Sequence, residues 1–447
     1  MHGQALPTAR ALRCHRRNDL AGTYLSLSEP ADAEKSHSKR PHRPISMNNK
    51  MIRRAVILGG GYAGVMCANR LAGTLRDEVE VTLVNPIDDF VERLLLHEVA
   101  ARANSDSATR HSLTELLNPS VRLVIGSATT IRHDRSEIDG VDSSSGQQWT
   151  LQYDDMIYAI GSGAVLDPVP GTREFAFDLS SLEQAHKLRD ALAECVPGDS
   201  VIVVGGGSTA IEMVSELAVA RPDLSLKMIT SSVLAPTVSE KARSYIRNAR
   251  AMRNVDVIEN VSVAEVISGG IITGSGEHVV GNVVVWAASF AVPSLARDSG
   301  LAVDKSGRLL VDASMRSTAH PRILGAGDGA VVTGSAGRTL RMACATAAPQ
   351  GAHAAQTVIA DLKGVEPKPF ALRYLVLSLS LGPGDGLIQS TNSDDSPRDF
   401  TVKGKTGALI NDLNNRYARM ILSWERRRAG TYHWAKPKKQ HPEKIDL

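Results

Sequence analysis

The chain has 447 residues, a formal net charge of +3 and 43% hydrophobic residues, so it is long enough for two or three domains with sizeable cores. The mild charge and the 4% aromatic content argue against nucleic-acid binding. The four cysteines, Cys14, Cys67, Cys195 and Cys344, are too far apart for a CxxC dithiol or a zinc motif, which is typical of a reduced cytoplasmic protein without a metal.

Residues 1–50 are rich in Arg, His, Ser and Pro and have no apolar periodicity. No secretory leader is recognisable, so we expect a disordered tail there or an upstream start that the folded protein does not need. No apolar run in the chain is long enough to span a membrane.

The first element that predicts a ligand site is a strand, a glycine turn and a helix. Residues 55–58 are apolar and predict a buried strand, and residues 65–71 predict a helix. Between them, Gly59, Gly61 and Gly64 have the GxGxxG spacing of a dinucleotide-binding turn. A second strand over residues 79–84 ends next to Asn85, where a ribose-binding carboxylate is usual, and an amide can also bind a ribose hydroxyl.

The segment after Asn85, residues 86–100, carries charged residues among apolar ones and by itself predicts a surface helix. A strand over residues 121–125 and a β-meander follow. The strand over residues 149–160 then ends in a turn containing Gly161, which returns the chain to the ligand edge of the sheet.

A second strand, glycine turn and helix follow a linker at residues 167–171. A strand over residues 200–204 leads into Gly205, Gly207 and Ala210, an allowed variant of the same spacing, and a helix over residues 211–218. The next strand ends in Thr230-Ser-Ser without a carboxylate or an arginine, so the choice between NADH and NADPH stays open. Two such units predict two nucleotide sites.

Two later turns complete the first predicted site. A strand ends in Gly327 and Asp328, which places a carboxylate at the carboxyl edge of a sheet, although capping of the next turn is an alternative. Pro349 suits the first turn of a helix over residues 352–362, because a proline lacks the N–H that is unpaired there. We expect the positive end of this helix, with the N–H groups of Gln350 and Gly351, to face an electron-rich ring.

The last predicted helix, residues 409–428, is amphipathic. Its apolar residues recur at helical spacing, and arginines add positive charge. Such a helix packs on its own protein or lies on a membrane surface, and both alternatives stay open. The apolar residues of this stripe are Leu409, Leu413, Tyr417, Met420, Ile421 and Trp424.

The order of these motifs resembles the pyridine nucleotide-disulphide-oxidoreductase-like flavoproteins, and within them type II NADH dehydrogenases and their soluble relatives. The resemblance implies an α/β fold of two Rossmann-like, three-layer domains, the second inserted in the first, and a smaller C-terminal α+β region. The implied segments are 51–166 with 290–365 for FAD, 167–289 for NAD(P)H, and 366–447 for the C-terminal region.

The resemblance also implies the residues of both sites. Those implied to bind FAD are Gly59, Gly61, Tyr62, Ala63, Gly64, Asn85, Arg93, Gly161, Gly327, Asp328, Pro349 and Gln350. Those implied to bind NAD(P)H are Gly205, Gly207, Ser208, Thr209 and Glu212. Glu212, near the meeting point of nicotinamide and flavin, and Gln350 are the implied catalytic residues, and a structural role for Glu212 is the alternative.

Two departures from the family pattern affect the predicted reaction. The redox-active cysteine pair is absent, which removes disulphide reductase chemistry, and Thr346 replaces the first glutamine of the quinone-site pattern. We therefore expect hydride transfer from NAD(P)H to FAD and electron transfer to a quinone or another small acceptor. A ferredoxin-like protein acceptor and an NAD(P)H-sensing flavoprotein are the alternatives. Cytoplasmic location is expected, and peripheral contact with the inner face of the membrane through residues 409–428 and a homodimer are left open.

Overall fold

The computed structural model describes residues 52–102, 106–164, 169–288, 290–334 and 337–437. The tail predicted at residues 1–50 lies outside the described residues. The first strands are β1 Arg53–Leu58, β2 Val79–Asn85, β3 Asp89–Val91, β4 Arg110–Ser112, β5 Arg122–Arg132, β6 Glu137–Asp142, β7 Gln148–Gln152, β8 Asp155–Tyr158, β9 Gly163–Ala164, β10 Ala176–Asp178, β11 Ser200–Val204 and β12 Ser225–Ile229.

The remaining strands are β13 Val255–Ile258, β14 Val263–Ile267, β15 Gly270–Thr273, β16 His278–Val280, β17 Val283–Trp286, β18 Phe290–Ala291, β19 Leu309–Leu310, β20 Ile323–Gly325, β21 Ala330–Val331, β22 Val376–Ser380, β23 Gly386–Thr391 and β24 Pro397–Lys403. The α-helices are α1 Tyr62–Leu75, α2 Leu96–Ala101, α3 Asp106–Thr109, α4 Leu113–Leu116, α5 Thr172–Phe175, α6 Leu182–Glu194, α7 Ser208–Ala220, α8 Glu240–Asn248, α9 Leu295–Asp298, α10 Cys344–Leu362 and α11 Gly404–Arg427.

The first sheet has the strand order β20-β8-β1-β2-β5-β6-β7. The five strands from β20 to β5 are parallel, and the meander β5-β6-β7 is antiparallel. Alternate residues of β1 face opposite sides: Ala55 and Ile57 pack with α1 and α10, whereas Val56 and Leu58 pack towards the meander. This two-sided burial explains the continuous apolar run in the sequence.

The second sheet has the parallel order β10-β17-β11-β12-β13. Val201 and Val203 face α6 and α7, and Ile202 and Val204 face the antiparallel sheet β14-β15-β16. This sheet is inserted in the first in sequence, because β20 of the first sheet follows it. Both sheets have the predicted three-layer α/β architecture.

The C-terminal region consists of the antiparallel sheet β22-β23-β24 and the long helix α11. Gly407 of α11 packs directly on the backbone of Gly386 in β23, where an added Cβ would lie 2.2 Å from the Gly386 carbonyl oxygen. Ile421 and Leu422 of α11 join the core formed by α1 and α10. None of the helices in the described ranges combines the length and the apolarity that crossing a membrane requires.

Candidate active site

The first glycine loop joins β1 to α1 at the carboxyl edge of the first sheet. Gly59 has φ of +106°, and a Cβ on it would lie 2.3 Å from the Ala159 carbonyl oxygen. A Cβ on Gly64 would lie 1.8 Å from the Gly59 carbonyl oxygen, because α1 approaches the turn closely. These two glycines therefore fix the path of the chain, as the spacing predicts.

Gly61 differs from its neighbours because its α-carbon faces open space. Among the described residues, a Cβ on it would meet no atom within 4 Å, and no side chain caps α1. Tyr62 and Ala63 are the first residues of α1, so their N–H groups belong to the first turn, which lacks partners within the helix. The open space and the unpaired donors fit the pyrophosphate of a dinucleotide such as FAD.

Asn85 lies beside this loop at the end of β2. Its Oδ1 accepts a hydrogen bond of 2.8 Å from the Gly60 N–H, and its Nδ2 donates to the Ile87 carbonyl oxygen at 2.7 Å. The amide therefore holds the glycine loop in addition to its predicted position near the ribose. Tyr62 packs edge-to-face on Phe90 with 5.0 Å between ring centroids.

Arg93 and Asp328 are brought together at the ends of different strands. Arg93 Nη1 donates to the Ser162 carbonyl oxygen at 2.6 Å, and Ser162 Oγ donates to Asp328 Oδ2 at 2.7 Å. Burial lowers the pKa of Arg93, which the carboxylates of Asp328 and Asp178 partly offset. Gly161, next to Ser162, also faces open space. The cluster places one carboxylate and one guanidinium beside the open space at Gly161, which has room for a ligand.

Gln350 supports the turn that carries Asp328. Its side chain is buried, and Oε1 accepts a hydrogen bond of 2.6 Å from the Gly327 N–H. Gly327 has φ of +76°, so its turn depends on this partner and on the glycine itself. The side chain of Gln350 is thus a positioning group in the structure, and a direct catalytic role stays a prediction.

The predicted start of α10 is wrong. The helix begins at Cys344 with Ala343 as its N-cap, and Pro349 lies inside it. The N–H groups of Gln350 and Gly351 therefore lie within the helix and do not form its positive end. The residues at the N-terminus, Ala343 to Thr346, occupy the place where the helix dipole favours negative charge.

The second glycine loop joins β11 to α7 and lines a cavity of about 440 Å³ at the edge of the second sheet. Gly205, Gly207, Ser208 and Thr209 all line this cavity, so the structure brings these four predicted residues together. In the part of the chain that the structure describes, nothing lies close to the α-carbon face of Gly207, and no side chain caps α7. The loop repeats the anion-binding geometry of the first one.

Glu212 lies one turn into α7 and does not line that cavity. Its Oε1 accepts a hydrogen bond of 3.1 Å from the Ser380 N–H of β22. Burial raises the pKa of Glu212 to about 8, and the nearby carboxylates of Glu98 and Glu216 add to the effect. Burial also raises the pKa of Glu216 to about 7 although Arg102 pairs with it. The fold therefore favours the protonated form of Glu212.

We expect the substitution Glu212→Gln to flatten the pH dependence of stability. The unfolded chain releases the Glu212 proton at a pKa of about 4.3, whereas the folded protein keeps it up to a pKa of about 8. The free energy of unfolding therefore falls as pH rises between these values, and glutamine removes this contribution. Urea midpoints between pH 5.5 and 8.5 measure the slope.

The control for this prediction is Glu240→Gln, because the Glu240 side chain is 78% exposed. The urea midpoint of Glu240→Gln is expected to change with pH as steeply as that of wild type. Identical slopes in wild type and Glu212→Gln would contradict the raised pKa.

The cysteines of the described residues do not form a redox pair. Cys67, Cys195 and Cys344 are free thiols, and burial raises the pKa of Cys67 to about 12 and that of Cys344 to about 11. In the described part of the chain, no group of three or more His, Cys, Asp or Glu side chains is arranged to hold a metal ion.

Sequence reasoning missed three groups at these sites. Ser162, which links Arg93 to Asp328, lies in a turn that the sequence marks only by Gly161. Trp286 lines the second cavity, and nothing in its local sequence distinguishes it from a core residue. Glu92 is buried and contacts His111 at 3.3 Å, near Tyr62, a contact between residues 19 positions apart.

Two glycine loops with open, uncapped helix starts define a protein with two dinucleotide sites on two α/β domains. The sequence pattern of the pyridine nucleotide-disulphide oxidoreductases matches residues 53–357, which is more than half of the chain. The chain belongs to this family. The predicted family, fold class and FAD-dependent oxidoreductase activity with a nicotinamide cofactor are confirmed, and NADH is the nicotinamide that the names of the relatives give.

Individual relatives agree with this assignment. An NADH dehydrogenase-like protein of Mycobacterium tuberculosis is 31% identical over 349 residues, which cover 74% of this chain and 86% of the relative. A type II NADH:quinone oxidoreductase of Staphylococcus saprophyticus is 26% identical over 364 residues, covering 75% and 89%. The structure of NDH2 from Plasmodium falciparum has the same fold, with a TM-score of 0.71 at 16% identity, covering 84% and 98%.

Proposed function

We propose that this chain is an FAD-dependent NAD(P)H:quinone oxidoreductase. The observation that carries the proposal is the pair of nucleotide loops combined with free, high-pKa cysteines, which leaves hydride transfer without a disulphide step. The names of the relatives in Mycobacterium tuberculosis and Staphylococcus saprophyticus support NADH as donor and a quinone as acceptor.

The residues of the first site bind and orient FAD. The first turn of α1 would hold the pyrophosphate at Gly61, and Asp328, oriented by Ser162, would accept a hydrogen bond from a ribityl hydroxyl. FAD held there would supply a hydride acceptor and a two-electron carrier. The N-terminus of α10 at Ala343 carries a partial positive charge, which would stabilise the negative charge of a reduced flavin. The helix holds this partial charge in place before the reaction, so no group has to move to provide it.

Anaerobic titration of the purified protein with NADH tests the reaction. Loss of the flavin absorption, followed by recovery when a soluble quinone is added, is the expected result. The variant Gly207→Val places a side chain in the open space of the second loop. It is expected to keep its flavin, but NADH should no longer reduce that flavin. Dithionite should still reduce that variant. A wild-type flavin that stays oxidised with NADH, or stays reduced with quinone, would contradict the proposal.

The exposed face of α11 is proposed to contact an anionic membrane surface, where a lipid-soluble quinone resides. Five apolar residues of the predicted stripe are 40% to 59% exposed, whereas Ile421 is buried in the core. Exposed arginines at Arg416, Arg427 and Arg428 supply the positive charge that such a surface attracts. The five exposed residues are Leu409, Leu413, Tyr417, Met420 and Trp424.

The double substitution Leu413→Ser and Trp424→Ser is expected to weaken binding to vesicles of phosphatidylcholine and phosphatidylglycerol by about tenfold or more. It removes apolar surface that would be buried in the membrane. Cosedimentation measures the bound fraction. Val280→Ser, which removes an exposed apolar residue of β16, is the control and should bind like wild type. Equal binding of the double variant and wild type would contradict membrane contact through α11.

A further inference from the structure

The described residues that line the second cavity carry no charge. The cavity is lined by residues of the glycine loop, by Thr230, Ser231 and Ser232 after β12, and by Trp286 at the end of β17. None of its lining residues, all within the described ranges, is an Asp, Glu, Lys or Arg. A nucleotide in this cavity therefore meets hydroxyl and backbone groups at the end of β12.

Thr230 occupies the position that decides ribose recognition in this fold. Thr230 lies one residue beyond the last residue of β12 that pairs with β11. In the same way, Asn85 lies one residue beyond the last residue of β2 that pairs with β1. A Cβ on Gly206 would lie 2.4 Å from Thr230 Oγ1, just as one on Gly60 would lie 2.9 Å from Asn85 Cγ. A carboxylate near this position binds the 2′-hydroxyl of NADH and repels the 2′-phosphate of NADPH. Threonine is uncharged, so it neither binds the 2′-hydroxyl as a carboxylate does nor repels the 2′-phosphate.

Glu259, one residue beyond β13, is a carboxylate near this end of the sheet, but it is directed to other partners. Arg247 Nη2 donates to its two oxygens at 2.7 and 2.6 Å, and the Leu234 N–H donates to Oε1. Arg247 is the main cause of the lowered pKa of Glu259. Glu259 does not line the cavity, so its charge is offset outside the nucleotide site.

Two observations favour a polar ligand in this cavity. Ser231 and Ser232 are exposed beside it, and serine hydroxyls both donate to phosphate oxygens and pair with a ribose hydroxyl. Trp286 Nε1 is buried and has no hydrogen-bond partner among the described residues. An unpaired buried N–H is costly, and an acceptor atom of a bound nucleotide would satisfy it.

We propose that the second site accepts NADPH as well as NADH, and that Thr230, Ser231 and Ser232 determine this dual specificity. The inference rests on the proposed function, because it assumes that the hydride donor binds here. No described lining residue is a carboxylate that would repel the 2′-phosphate, and the hydroxyls accommodate either form of the ribose.

Calorimetric titration of the flavin-loaded protein with 5′-AMP and with 2′,5′-ADP tests the proposal without turnover. The two dissociation constants are expected to agree within about tenfold, since no fixed charge separates the ligands. Binding of 5′-AMP with exclusion of 2′,5′-ADP by more than that factor would overturn dual specificity and leave the NADH reaction intact. If neither ligand binds, the nucleotide site of the proposed function fails as well.

The pair Thr230→Glu and Thr230→Gln assigns the effect to charge, because the two side chains have nearly the same size. Glutamate is expected to weaken the binding of 2′,5′-ADP by about tenfold or more relative to that of 5′-AMP, because its carboxylate repels the 2′-phosphate. Glutamine is expected to leave the relative binding of the two ligands unchanged. Ser231→Glu, at an exposed position, repeats the test if the buried Thr230 variants do not fold. The same ligand preference in glutamate and glutamine variants would overturn the assignment to these residues.

Discussion

Protein carrying Gly64→Ala is expected to purify without flavin and to be less stable than wild type by about 3 kcal/mol or more. The added methyl group would lie 1.8 Å from the Gly59 carbonyl oxygen, so α1 must move away from the turn. It cannot do so freely, because its other side is equally tight: a Cβ on Gly351 of α10 would lie 2.0 Å from the Ala63 carbonyl oxygen. The pyrophosphate donors of α1 would be displaced together with the helix.

The second glycine loop offers a matched control for this substitution. Ala210 stands where the first loop has Gly64, and the structure accommodates its methyl group. Ala210→Gly is expected to cost about 2 kcal/mol, through helix propensity and the loss of one buried methyl group, and to leave flavin binding unchanged. The flavin absorption per protein and the urea midpoint measure both variants. Full flavin occupancy in Gly64→Ala would contradict the close packing of α1.

The elements around both glycine loops could be predicted from the sequence because their signals are local. An apolar run, a glycine spacing and a helical period predict β1 with α1 and β11 with α7 to within a few residues. Burial on both faces of a parallel strand makes such runs distinctive. The same locality explains why the sequence predicts which glycines of each loop lie together.

The start of α10 could not be predicted because its N-terminus carries no local signal. The N-cap, Ala343, has no side chain that accepts a hydrogen bond, and the residues after it are small and apolar. Pro349 is a stronger local signal for a helix start, but it lies in the sixth position, where tertiary packing of α10 on α1 outweighs the lost hydrogen bond. Packing thus overrides the preference of the proline.

The second roles of Asn85 and Gln350 also lay beyond sequence reasoning. Both side chains accept hydrogen bonds from backbone N–H groups of glycine turns, 25 and 23 residues away in the sequence. Such contacts depend on the distance between neighbouring strand ends and not on a sequence pattern. The sequence therefore predicts which residues form the site but not how they support one another.

A buried ion pair between α1 and α11 carries the second large expected effect. Arg70 Nε donates to Glu425 Oε1 at 2.6 Å, and Arg70 Nη2 donates to the Tyr432 carbonyl oxygen at 2.8 Å. Glu425 also accepts from the N–H groups of Gly430 and Tyr432. Arg70 and Glu425 have side chains only 3% and 0% exposed, so every charge in this network depends on its partners.

Arg70→Met is expected to lower the free energy of unfolding by about 3–5 kcal/mol, because it leaves the Glu425 carboxylate buried without its cation. The double variant Arg70→Met with Glu425→Leu should recover most of this loss, since it removes both charges. Urea denaturation of wild type, both single variants and the double variant measures the cycle. A double variant as unstable as Arg70→Met would contradict a charge effect and indicate lost packing.

The pH dependence separates the same two explanations. Burial alone would raise the pKa of Glu425, but the hydrogen bonds from Arg70, Gly430 and Tyr432 outweigh it and lower the pKa in the folded protein. The ion pair therefore stabilises the fold above the unfolded pKa of about 4.3, and this contribution is lost as pH falls through the folded value. In Arg70→Met the carboxyl is protonated more readily, so its deficit relative to wild type should be smaller at about pH 5 than at about pH 8. A deficit that does not change with pH would assign the effect of Arg70 to its packing alone.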